Sequence, residues 1–148
     1  CYKTCGFKRS ATCVTSINRD VFILRQGNIF VISSKNNGFM KVGIIRCQQT
    51  EDLCPATTCI KCVSGGKLAF ENIGPSEIVG IVTCGGCPGK RAIPRAKMLV
   101  DRGAEVIALA SCIFKGTPIG FPCPHAEQMK RAIVNKVGEN VPVIDYTH

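Results

Sequence analysis

Four short apolar runs, separated by helix-like stretches, restrict the fold of this chain more than any other feature. They are Val42-Gly43-Ile44-Ile45-Arg46-Cys47, Ile78-Val79-Gly80-Ile81-Val82-Thr83, Val106-Ile107-Ala108-Leu109-Ala110-Ser111-Cys112 and Val141-Pro142-Val143-Ile144-Asp145-Tyr146. Each is too continuously apolar to expose one face to water, so each reads as a strand buried on both faces. Between them lie helical stretches at about Thr58–Phe70, Gly89–Arg102 and residues 125–137, stopped by Gly103 and Gly138 in the last two cases. The order β-α-β-α-β-α-β predicts an α/β domain with a small open parallel sheet of four strands, flavodoxin-like, joined by right-handed crossovers.

In such a sheet all strand C-termini share one edge, where ligands of open α/β folds bind. Cys47, Cys84 and Cys112 end three successive runs, and His148 follows the fourth. Cys54, Cys87, Cys123 and His125 belong to segments leaving the same edge. Neighbouring strands lie about 4.8 Å apart, so thiols on adjacent ends come within reach of one metal ion or cluster. A buried Cys is also an ordinary small core residue, and any one of these positions alone carries little weight. Cys59 and Cys62 share the x-x spacing, but at i and i+3 of the first helical stretch one of them can simply face the core.

The central motif is Cys84-Gly85-Gly86-Cys87-Pro88, at a strand-to-helix turn with Pro94 in the first turn of the helix that follows. Orphan N–H groups and the helix dipole would favour thiolate there. Two thiols at this spacing form half a metal site or a redox couple. Gly85-Gly86 alone does not make a phosphate loop.

Eleven cysteines require an explanation. The chain shows no signal-peptide pattern and no apolar run near the roughly 18 residues of a membrane helix, so an intracellular, cytoplasmic setting is expected. In that setting the cysteines point to metal or thiol chemistry rather than disulfides. The net charge of +9 leaves room for a small anionic ligand. With no Trp and no basic run interleaved with aromatics, nucleic acid gets little support. Residues 1–39 look unlike the rest. They carry a hairpin signal, Val21-Phe22-Ile23-Leu24 and Ile29-Phe30-Val31-Ile32 about Arg25-Gln26-Gly27-Asn28, and loosely spaced Cys1, Cys5 and Cys13.

Met40 to Cys47, Cys84-Gly85-Gly86-Cys87-Pro88-Gly89, and Gly116-Thr117-Pro118-Ile119-Gly120 with Cys123-Pro124-His125 resemble the CGGC domain family, over essentially all of 40–148. The resemblance implies a metal-binding domain, zinc foremost, and not a particular reaction. It also implies a natural start at Met40, with 1–39 an extension outside the family pattern or a non-native start.

The expected function is therefore metal binding, of zinc or an iron–sulfur cluster. The expected donors come from Cys47, Cys54, Cys84, Cys87, Cys112, Cys123, His125 and His148, with Cys84, Cys87 and Cys112 at the centre. Two alternatives remain. One is a metal-free thiol–disulfide oxidoreductase with Cys84 attacking and Cys87 resolving; the other is a metal-sensing binding module.

Overall fold

The computed structural model describes residues 38–148. The hairpin signal at 21–32 and Cys1, Cys5 and Cys13 lie outside the described residues. The elements are β1 (Met40–Arg46), α1 (Thr57–Gly65), β2 (Ser76–Thr83), α2 (Ala92–Asp101), β3 (Val106–Leu109), α3 (Ser111–Phe114), α4 (Ala126–Val137) and β4 (Val143–Ile144).

The four strands form one parallel sheet in the order β2-β1-β3-β4. The chain steps one way after β1 and the other way after β2. Right-handed crossovers therefore place α1 on one face of the sheet and α2 and α4 on the other. Covering both faces explains the unbroken apolar runs. Val42, Ile44 and Ile45 of β1 and all four residues of β3 are fully buried. Gly43 marks the closest approach of a helix. A Cβ there would stand 2.9 Å from Leu99 Cδ1 of α2, so a larger residue would push the helix off the sheet.

Four boundaries differ from the sequence reading, each for a local reason. The first helix stops at Gly65, not Phe70. Gly66 takes φ +59, with the Lys67 N–H on the Cys62 carbonyl at 3.0 Å, a glycine C-cap, and a 3₁₀ turn at Leu68–Phe70 follows. The second helix starts at Ala92, because Gly89 at φ +84 cannot join it. The third strand ends at Leu109 and the chain turns at once into α3, so Cys112 sits in a short helix and not at a strand end. The fourth strand keeps only Val143–Ile144 of its predicted run in the ladder. No helix among the described residues is long and apolar enough to cross a membrane.

Candidate metal centre

The C-terminal edge is tied together around the end of β1. The Cys84 N–H donates to the Arg46 carbonyl at 2.8 Å on one side, and the Ala110 N–H donates to the Ile45 carbonyl at 2.9 Å on the other. These bonds carry the parallel ladders one residue past their strands and fix where Cys47, Cys84 and α3 emerge. The Cys123 N–H donates to the Ile113 carbonyl at 2.8 Å, which brings the 115–125 loop back over α3. The Cys47 N–H then points at Cys112 Sγ, 3.1 Å away.

The result is a corner of four thiols from four segments: Cys47, Cys84, Cys112 and Cys123. The first three are buried and Cys123 is half-buried. Burial pushes the Cys47 thiol up to about 11. A main-chain hydrogen bond offsets part of this, while the charges of Cys84, Cys112 and Cys123 add to it. Three neighbouring thiols thus bear on Cys47 in this buried corner, and a cation bound there would offset their charges. All eight cysteines among the described residues are free thiols.

The loop from Cys47 to Ala56 is held by one guanidinium. Arg46 Nη2 donates to the Thr50 carbonyl at 2.7 Å and to the Cys54 carbonyl at 2.6 Å, while the Thr50 hydroxyl donates to the Cys47 carbonyl at 3.0 Å. The Ala56 N–H donates to Cys54 Sγ at 3.4 Å. Half-buried Cys54 is thus turned inward against its own loop.

A second polar group lies on the same edge, where the segment after β4 crosses α3. Ser111 Oγ accepts the N–H groups of Thr147 and His148 at 3.1 and 2.9 Å and donates to the His148 main-chain oxygen at 2.6 Å. Lys115 Nζ reaches that same oxygen at 2.8 Å and lies over the Tyr146 ring. Lys130 pairs with Asp145. This strapping carries His148 to Cys59 of α1: Nδ1 stands 3.7 Å from Cys59 Sγ, and the fully buried Thr147 hydroxyl lies within 3.2 Å of both atoms. Burial raises the Cys59 thiol, and the Thr147 hydrogen bond opposes that; Cys112 and Cys54 are near enough for their charges to raise it further. Burial, then Lys115, lowers His148 below the usual imidazole range.

The structure sorts the expected donors. Cys47, Cys84, Cys112 and Cys123 share one corner, and His148 and Cys54 lie beside Cys59. Cys87 and His125 are not among the groups that press on Cys47. Cys87 is exposed, and His125 stands at the N-cap position of α4, where its side chain makes no capping bond. Both Cys59 and Cys62 are buried, where one of them was expected to face the core. Cys59 is the residue that reading missed; its partners lie 89 and 88 residues away, and no spacing reveals them.

The Cys84–Cys87 turn is tight but is not a helix N-terminus. Gly85 has φ +83, and a Cβ there would lie 2.5 Å from Arg91 Cβ. Because α2 begins five residues after Cys87, the helix dipole, which fades within a turn, does not act on these thiols as expected.

The donor set is soft thiolate with one imidazole in reach, which suits zinc or an iron–sulfur cluster. As placed, no three His, Cys, Asp or Glu side chains among the described residues are gathered closely enough to hold an ion. The fit is one of donor chemistry and common edge, not of a finished coordination sphere.

The CGGC domain matches residues 41–148. The chain is 33% identical over 117 residues to the uncharacterized protein MJ0582 of Methanocaldococcus jannaschii, covering 74% of this chain and 87% of that protein. It is 39% identical over 64 residues to a second protein of the same organism, the uncharacterized MJ0766, covering 43% of this chain and 91% of that protein. No solved structure matches the chain.

Proposed function

The chain belongs to the CGGC domain family, and from that premise we propose that it binds a soft metal, zinc or an iron–sulfur cluster, through Cys47, Cys84, Cys112 and Cys123. One observation carries this reading: four thiols from four separate segments lie at one sheet edge, three of them buried, with Cys84, Cys112 and Cys123 near enough for their charges to bear on Cys47. Hydrophobic burial alone does not call for four thiols at one edge, whereas a soft cation binds such a set as thiolates. Binding requires side-chain rotations that draw the sulfurs inward, and Cys87 enters the set only if its exposed side chain turns in. When bound, a metal with an open position would supply Lewis-acid or electron-transfer chemistry.

The test is anaerobic purification of the full chain followed by elemental analysis and an absorption spectrum. Colourless stoichiometric metal identifies zinc, and visible absorbance with iron and sulfide identifies a cluster. A metal-free protein that also refuses added zinc and reconstituted iron would end this reading. The exposure of Cys87 favours the thiol couple as the second reading, with roles reversed from the sequence expectation. Cys84 is 6% exposed and Cys87 lies in solvent, so Cys87 would attack and Cys84 resolve. A metal-free protein whose exposed thiol exchanges rapidly with a small disulfide would support it.

A further inference from the structure

An open notch of about 330 Å³ lies where β1 and β2 end, lined by Arg46, Glu51, Ile81, Val82, Thr83 and Arg95. Its volume is at the small end of small-molecule sites, which run from about 300 to 1,000 Å³. Two of its lining residues are half-buried arginines, each anchored through a single nitrogen. Arg46 Nη2 donates to the Thr50 and Cys54 carbonyls. Arg95 Nη1 donates to the carbonyl and to the hydroxyl oxygen of Thr83, at 2.7 and 2.9 Å. Among the described residues, Nη1 and Nε of Arg46 and Nη2 and Nε of Arg95 have no hydrogen-bond partner. Neither arginine is in an ion pair either, since the pairs among the described residues are Lys97–Asp101 and Lys130–Asp145. Glu51 lines the notch but is exposed and closes on neither guanidinium. The anchoring bonds explain the loop tie of Arg46 and the fastening of α2 to the end of β2 by Arg95. They do not explain two like charges in one notch with no carboxylate bonded to either. Half-buried charges of one sign raise each other's cost, and an anion between them offsets it.

We propose that this notch binds the oxyanion end of a small ligand, a carboxylate or a phosphate, gripped by Arg95 and Arg46. On Arg95 the open Nε and Nη2 form the parallel fork that meets two oxygens of one such group. Arg46 Nη1 supplies a further donor. The Thr83 hydroxyl accepts from Arg95 and keeps its own proton to give. Because each guanidinium is already anchored by its other nitrogen, little side-chain freedom is left to lose on binding. Ile81 and Val82 offer an apolar wall to the body of the ligand. Thr83 directly precedes Cys84, so a ligand held there lies beside the CGGC turn. Anion binding here requires no metal, and it stands or falls apart from the four-thiol site.

Inorganic phosphate and malonate, each compared with chloride at matched ionic strength, probe the two ligand chemistries on the full 148-residue chain, kept reduced. Affinity is read by NMR from the arginine side-chain Nε–H signals and the amides of residues 81–84, with the melting temperature followed in parallel. At least one of the two anions should saturate these shifts and raise the parent's melting temperature above that in chloride. Saturation by phosphate alone makes the ligand a phosphate, and by malonate alone a carboxylate. Arg95→Lys keeps the charge but loses the fork, and should weaken binding about tenfold. Glu51→Gln removes a repelling charge from an exposed side chain and should tighten binding about two- to fivefold. That gain is one a purely structural role for the arginines would not produce. It also decides the matter if Arg95→Lys fails to fold: an unchanged affinity in Glu51→Gln then overturns the site. Indistinguishable behaviour of the parent in phosphate, malonate and chloride overturns it as well. So do equal affinities in the parent, Arg95→Lys and Glu51→Gln, which would put the anion elsewhere on the surface.

Discussion

Removing Cys47 should flatten the alkaline limb of the stability curve of the metal-free protein. Cys47 is 7% exposed, and its thiol is raised from 9.0 to about 11 in the fold. A raised acid favours the folded state while it stays protonated. Its contribution is therefore intact below pH 9, where both folded and unfolded forms hold the proton. It drains away as the unfolded chain ionises first, and is gone above about pH 11. Linkage over that interval gives a loss of about 1 kcal/mol at pH 10 and about 2 kcal/mol at pH 11 relative to neutral pH. Cys47→Ala also removes a buried sulfur, but that cost is the same at every pH. Urea unfolding of parent and variant at pH 7, 9, 10 and 11, with chelator and reductant present, isolates the difference. Lysine titration affects both proteins alike and cancels. Two pH profiles that run parallel from 9 to 11 would falsify the claim that burial and neighbouring thiols hold Cys47 protonated.

Three further outcomes follow from features already described. Gly85→Ala should destabilise the domain by about 1–3 kcal/mol, read as a lower melting temperature, because alanine at φ +83 is strained and its Cβ meets Arg91; an unchanged melt would show that the turn relaxes. Ile44→Ala, at a fully buried position of β1, should cost about 2–5 kcal/mol in urea titrations, and a loss under 1 kcal/mol would mean the core collapses around the gap. A chain beginning at Met40 should melt cooperatively with an α/β circular dichroism spectrum, since all four strands lie within 40–144; an unfolded product would place the domain boundary elsewhere.

The sheet was legible because its signal is local. Four apolar runs with helices between them admit few topologies, and parallel crossovers have one hand. The shared edge followed from that alone, so Cys47, Cys84 and Cys112 could be grouped without seeing them. The exits were harder. Nothing in Val106–Cys112 announces that the strand stops at Leu109, since the same small apolar residues suit a strand end and a helix start. The decisive contacts there, Ser111 with Thr147 and His148, join residues 36 and 37 apart. The CGGC turn misled in one respect: Gly85, Gly86 and Gly89 all take positive φ, so the segment is spent on turning and α2 is delayed to Ala92. Cys59 escaped notice because its polar partners, Thr147 and His148, lie 88 and 89 residues away in sequence.

The central position of β1 also governs when the thiols can meet. Its neighbours in the sheet are β2 and β3, and the contact between Cys47 and Cys112 spans 65 residues of chain. Closing loops of that length has an entropic cost that local structure does not recover, so parallel pairings of this kind form late and slowly. The sulfur corner is then a product of the completed sheet and cannot seed it, unlike a zinc finger whose ligands are close in sequence. An ion bound there would slow unfolding far more than it would speed folding. During synthesis the nascent chain would expose its thiols before any edge existed to gather them.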